Sequence, residues 1–147
     1  MNLVSQSTEY ALRAVVFLAS DPGRMHSAAE ISEKTGVPVH YLGKVLKQLV
    51  RSGILRARRG PGGGFVIAAS PDNVTVLDIV SAIDPIAHVT RCPLGEGLHP
   101  AVLCPLHRHL EDAILSVENA FRSATVGQLA QVLPRGAECP AVSTGDA

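Results

Sequence analysis

The sequence contains no long apolar run: its N-terminal apolar stretch, Ala14 to Ala19, is six residues long and follows Glu9 and Arg13. That is too short for a membrane span and lacks the basic start of a signal peptide, so a cytoplasmic chain with no membrane partner is expected. Cysteine is scarce and odd in number, with Cys92, Cys104 and Cys139 alone. In a reducing compartment this disfavours a disulfide framework and points to metal, redox or free-thiol roles. Internal repeats and low-complexity tracts are absent too. A length of 147 residues leads to the expectation of one compact domain rather than two lobes around a catalytic cleft. What remains is a foldable composition, 46% apolar and 18% charged with 13 glycines and 10 prolines, neither disordered nor collagen-like.

Net charge is absent only in sum. Residues 1–59 hold nine Lys or Arg against four Asp or Glu, and residues 60–147 hold four against nine. Within residues 34–59 the charged side chains are Lys34, Lys44, Lys47, Arg51, Arg56, Arg58 and Arg59, all basic. A one-signed stretch attached to an acidic remainder is the asymmetry of a nucleic-acid surface, although a lone basic run is usually a solvated helix face.

Local pattern separates the two. Ser5, Ser7 and Thr8 precede an apolar set at Ala11, Leu12, Val15, Val16, Leu18 and Ala19, which predicts a helix ending near Ser20, with Asp21-Pro22-Gly23 as the break. Ser27 and Glu30 have capping-box spacing and open a short helix that stops at Thr35-Gly36. After a tight turn, a second helix runs from about Pro38 to Arg51, with Gly53 beyond its end. At about 100° per residue, Leu42, Val45, Leu46 and Leu49 cover one arc, and His40, Lys44, Lys47, Gln48 and Arg51 the arc opposite. One face packs, while the other carries basic and hydrogen-bonding arms suited to a major groove.

A β-hairpin follows. In Ile54-Leu55-Arg56-Ala57-Arg58-Arg59, alternation sets Arg56 and Arg58 on one side and Leu55 and Ala57 on the other. Gly60-Pro61-Gly62-Gly63-Gly64 makes a tip whose backbone can approach a phosphate, and Phe65-Val66-Ile67-Ala68 returns. A nucleotide-binding loop is a poor reading, because no Lys-Ser/Thr follows and the glycines lead into a strand. Helix, turn, helix and basic hairpin in sequence predict a winged helix-turn-helix binding double-stranded DNA. The contacting set is His40, Tyr41, Lys44, Lys47, Gln48, Arg51, Arg58, Arg59, Gly62 and Gly63.

The second half is expected to regulate or assemble. Thr75-Val76-Leu77-Asp78 starts another helix with Leu77, Val80, Ala82 and Ile83 as its apolar set, and Asp84-Pro85 ends it. A long helix from about Pro105 to Ala124 repeats Leu106, Leu110, Ala113, Ile114, Val117, Ala120, Phe121 and Ala124 at steps of three and four. Few other elements remain to cover that stripe, so it is expected to be the seam of a homodimer that presents two recognition helices to half-sites about one DNA turn apart. The predicted class is mainly α with a small β-hairpin. Its parts are a winged helix-turn-helix region (1–84), a sensor loop (85–104), a dimerisation helix with a short final helix (105–133), and a tail expected to be flexible (134–147).

The chemistry falls in the loop between Asp84 and Pro105, which holds Cys92, His99 and Cys104, with His107 one turn into the next helix. Two thiolates and an imidazole suit zinc or an iron-sulfur cluster. Equally, both cysteines can be small buried hydrophobes with the histidines on the surface. A thiol enzyme using Cys92 or Cys104 with His107 would lack an orienting third residue and leave the basic wing unexplained.

Several stretches together carry a family likeness: Ser7-Thr8-Glu9-Tyr10-Ala11-Leu12-Arg13-Ala14, Tyr41-Leu42, Arg59-Gly60-Pro61-Gly62-Gly63-Gly64-Phe65, Val76-Leu77-Asp78-Ile79-Val80 and the cysteine loop. Over nearly its whole length the chain resembles the winged-helix regulators of the IscR/NsrR/RirA/RsrR family. That resemblance implies a homodimeric bacterial transcription factor sensing iron, redox state or nitric oxide through a 2Fe-2S or 4Fe-4S cluster. Cluster-binding members commonly have three loop cysteines; here the outer two match Cys92 and Cys104, and Leu98 stands at the middle position. His107 matches a histidine ligand of some members, and Glu9 an acidic ligand that others take from the partner subunit's first helix. Arg13 stands where one such member has a further histidine. The ligand set the resemblance implies is therefore Cys92, Cys104 and His107 of one subunit with Glu9 of the other, on a 2Fe-2S cluster, with His99 in reserve and Cys139 a bystander. The alternative is a cluster-free regulator responding to thiol oxidation, zinc or a partner protein.

Overall fold

The computed structural model describes residues 3–95 and 104–132. Leu98 and His99, Cys139 and the predicted tail lie outside the described residues.

Helix α1 (Gln6–Ala19) begins where Ser5 Oγ accepts the Thr8 amide and ends at Ser20, as its sequence pattern predicts. Its small and branched residues Ala11, Ala14, Val15 and Leu18 are wholly buried, making α1 the central element against which α2, α3, α4 and α6 pack. Helix α2 (Ala28–Thr35) is capped by Ser27, whose hydroxyl accepts the Glu30 amide, and it ends on Gly36 in the left-handed region at φ 69°. The expected capping box closes on one side only. Instead of reaching back to the cap, the Glu30 carboxylate accepts from Arg24 Nη2 at 3.2 Å and lies beside the His26 ring.

Helix α3 (Val39–Arg51) buries Leu42, Val45, Leu46 and Leu49, the arc expected from the sequence. It leads into strands β1 (Leu55–Arg58) and β2 (Gly64–Ile67), paired antiparallel with Leu55 opposite Ile67 and Arg58 opposite Gly64. Only the base of this wing is anchored. Leu55, Val66 and Ile67 are buried, whereas Ala57, on the same side of β1 as Leu55, is exposed because the hairpin projects off the core. His26 adds a bridge on the other edge of β2: its N–H donates to Phe65 O at 3.0 Å, and Phe65 N–H returns to His26 O at 2.8 Å.

A single 3-10 turn (Pro71–Asn73) precedes α4 (Val76–Ile83), where Thr75 and Asp78 close a full capping box. Its buried residues are Val76, Ile79 and Val80, not the expected set of Leu77, Val80, Ala82 and Ile83. Asp78 and Ser81 are exposed on one side, and at about 100° per residue Val76, Ile79, Val80 and Ile83 lie opposite them. The buried face, which packs on α1 and α3, therefore follows the helical period that the expected set missed at Val76 and Ile79. Helix α5 (Pro105–Ser123) has no buried residue along 19 positions. The chain then returns: Val126 N–H donates to Val74 O at 2.8 Å, and α6 (Val126–Val132) packs on α1 with Val126 wholly buried.

Candidate DNA-reading surface and thiol site

On α3 the side chains of His40, Tyr41, Lys44, Lys47 and Arg51 are exposed and Gln48 is half-buried, all on the side turned from the core. The Tyr41 ring is supported rather than free, with its centroid 4.2 Å from that of His40 and 5.9 Å from that of Tyr10 on α1. On the wing, Arg58, Arg59 and Gly62 are exposed and Gly63 is half-buried. The tip is held from within, because Arg58 Nη2 donates to Gly62 O at 2.8 Å and Gly63 N–H to Gly60 O at 2.9 Å. Arg58 thus uses part of its guanidinium to brace the loop, whereas Arg59 makes no such bond among the described residues. The glycines also answer to the fold: a Cβ on Gly63 would collide with the carbonyl oxygens of Arg58 and Gly60.

The second site lies at the start of α5. Cys104 is its N-cap, and its sulfur accepts the His107 amide at 3.4 Å. Cys92 Sγ lies 3.5 Å from Cys104 Sγ. The His107 N–H holds the Cys104 thiol below its ordinary value of 9.0, with the Cys92 thiol and the Leu106 N–H adding and burial opposing. That favours a reactive thiolate, as at other helix N-termini. His107 Nε2 lies 2.6 Å from the Val89 carbonyl, which can only accept, so Nε2 is the donor in this bond.

The sequence expectations meet this geometry unevenly. Cys92, Cys104 and His107 come to one end of α5, while Glu9 sits half-buried in the first turn of α1. Among the described residues, no three His, Cys, Asp or Glu side chains group closely enough to hold a metal ion. The thiol pair itself fits one. Two thiolates bound at about 2.3 Å to a tetrahedral iron or zinc stand about 3.8 Å apart, close to the observed separation. A backbone acceptor on the far nitrogen of His107 is also the usual partner of a ligating imidazole.

One feature of this region is not readable from the sequence. His88 lies between two carboxylates of α5, with Nδ1 2.6 Å from Glu111 Oε1 and Nε2 3.2 Å from Glu118 Oε1, and Val89 N–H donates to Glu111 Oε2 at 3.3 Å. Together with the His107 bond to Val89, these contacts strap the chain leading to Cys92 onto α5. Glu111 and Glu118, seven apart on one helix, signal a common face, but nothing local names a histidine 23 positions away as their partner. The hydrogen bond and charge of Glu111 raise the His88 pKa above 6.5, and the same bond, with the Val89 N–H, lowers that of Glu111 below 4.5. The histidine contribution is complete below pH about 6.5 and is lost as pH rises through the raised value. The glutamate contribution is present above pH about 4.5 and is lost as pH falls through the lowered one. An NMR titration of the His88 ring is expected to show a midpoint above 6.5 that returns toward 6.5 in Glu111→Gln; an unmoved midpoint would mean the strap is not formed in solution.

A family model described as "Iron-dependent Transcriptional regulator", Rrf2, matches residues 4–132. The chain belongs to the Rrf2 family. A Haemophilus influenzae protein described as an HTH-type transcriptional regulator is 32% identical to this Rrf2 protein over 131 residues, 88% of this chain and 86% of the relative. Two solved structures share its fold. CymR, the global cysteine regulator of B. subtilis, has a TM-score of 0.75 at 24% identity, covering 91% of this chain and 100% of CymR. IscR of T. potens has a TM-score of 0.73 at 24% identity, covering 90% and 89%. The chain is therefore a winged-helix transcriptional regulator and not an enzyme, which removes the thiol-enzyme reading. Among the described residues, no helix is long and apolar enough to cross a membrane.

Proposed function

We propose that this Rrf2 protein is a cytoplasmic homodimeric repressor that reads paired half-sites with α3 and the wing, and that the Cys92–Cys104 pair senses redox state, iron or nitric oxide on a 2Fe-2S cluster. The observation that carries the sensor is the 3.5 Å separation of two sulfurs at the N-terminus of α5, one of them with a lowered pKa. Cys92, Cys104 and His107 would hold the cluster with Glu9 of the partner subunit, and the group supplies one-electron chemistry and sensitivity to oxidants. The chain's own part is mechanical. Cys104 caps α5 while the strap through Val89 and His88 ties the loop to it, so displacing the thiols shifts the start of the helix that would form the dimer seam. Repositioned seams change the spacing of two recognition helices and so the affinity for paired half-sites. Protein purified anaerobically is expected to contain iron and sulfide with visible absorption, lost in Cys92→Ser and in Cys104→Ser. Colourless, iron-free wild-type protein would overturn the cluster.

A second reading is favoured by the same pair standing without a third ligand among the described residues. Here the two thiols close to a disulfide, giving two electrons and two protons to an oxidant such as a peroxide. Thiol trapping after peroxide treatment of iron-free protein would detect the bond.

The DNA-reading surface has its own test. Each phosphate contact contributes about 0.9 to the slope of log affinity against log salt concentration. Lys44→Ala and Arg59→Ala are each expected to weaken operator binding and flatten that slope by about this amount. Unchanged slopes in both would place the phosphates elsewhere.

A further inference from the structure

The recognition helix departs from good helix chemistry at two neighbouring positions. Val39, its first residue, is β-branched, 54% exposed and absent from the side chains packed on the core. Gly43 lies in the helix interior, where glycine is worse than alanine, yet a Cβ there would meet nothing within 4 Å. Neither choice is repaid by packing within the chain. Residues four apart lie one above the other on a helix, so Val39 and Gly43 share one flank of α3, with Lys47 a turn further on.

Together they form a notch. Val39 is a branched apolar wall, and Gly43 leaves room down to the helix backbone. His40, Lys44 and Lys47 line its solvent-facing side with hydrogen-bonding and positive side chains, and residues 34–59 contain no acid. A basic rim suits the phosphates flanking a groove, and the apolar group that the major groove presents on a base edge is the 5-methyl of thymine. We propose that Val39 and Gly43 seat a thymine 5-methyl group of the operator, Val39 as the reader and Gly43 as its clearance. This rests on α3 being the DNA-contacting helix and makes Val39 a specificity determinant beside the polar set.

The test uses the full-length chain. Preferred duplexes are selected from a random pool at low salt, and each thymine of the selected site is then replaced by uracil, which removes the methyl and leaves base pairing unchanged. One thymine per half-site is expected to cost about fourfold in affinity on replacement, the worth of one buried methyl group. Val39→Ser is expected to bind the two versions alike, at the wild-type affinity for uracil. Gly43→Ala, which fills the notch, should weaken the thymine site more than the uracil site while raising the melting temperature, so lost binding there is not lost folding. Indifference of the wild type to every replacement, or a Val39→Ser variant that keeps the preference, overturns the notch. A selection that yields no preferred duplex overturns the reading of α3 as the DNA-contacting helix, and the notch with it.

Discussion

Gly64→Ala is expected to destabilise the fold by about 2–4 kcal/mol and to lower operator affinity by more than tenfold. Gly64 is the first residue of β2, with φ 141°, a conformation that L side chains rarely adopt. A Cβ there would drive into the carbonyl of His26, the group that accepts the Phe65 amide and ties the wing to the link between α1 and α2. Because only the base of the hairpin is buried, that bridge is much of what sets the wing's angle to α3. Gly60→Ala is the control: its φ of 90° is also strained, but a Cβ meets nothing within 4 Å. Its cost is therefore limited to the backbone, about 1–2 kcal/mol. Thermal unfolding and operator titration of the two variants separate the cases, and equal losses would mean that the His26 bridge does not seat the wing.

Leu110→Glu combined with Val117→Glu is expected to convert a dimer to a monomer while leaving the fold's melting temperature within a few degrees of the wild type. Helix α5 carries no buried residue, and Leu106 and Leu110 on its apolar stripe stand 38% and 37% exposed. A five-turn stripe this open in the single chain contributes little to its core, and two carboxylates placed on it oppose burial against a second copy. Affinity for a paired site should fall by about a hundredfold or more as the second binding event ceases to be intramolecular, while affinity for an isolated half-site stays the same. Sedimentation reads the first result directly. A double variant that still sediments as a dimer would remove α5 as the seam.

Much of the candidate reading surface was legible in the order of residues, because short-range rules govern it. Ser5 and Thr75 cap their helices where hydroxyls precede apolar periodicity, and Gly36 ends α2 in the left-handed region. The arc of Leu42, Val45, Leu46 and Leu49 is the only continuous apolar side of α3, so a 3.6-residue period suffices to orient it. In α4 the same rule applied to the polar side, Asp78 and Ser81, points to Val76, Ile79 and Val80. The expected set, which followed apolar type rather than the face opposite those two, left out Val76 and Ile79. Glu30 likewise satisfies the capping-box spacing, but Arg24 takes its carboxylate instead.

Sequence alone therefore determined the helix boundaries, the basic free face of α3, the hairpin and the candidate thiols, since each depends on residues within about two helical turns of one another. Tertiary structure decided the rest. It brought Cys92 to 3.5 Å from Cys104, placed His88 between Glu111 and Glu118, set His26 beside β2 and folded α6 back onto α1. Those contacts join segments whose spacing along the chain carries no periodic signal; burial of α1 brings α6 back, while the contacts on α5 are made by ion-pair and hydrogen-bonding partners that no local pattern links.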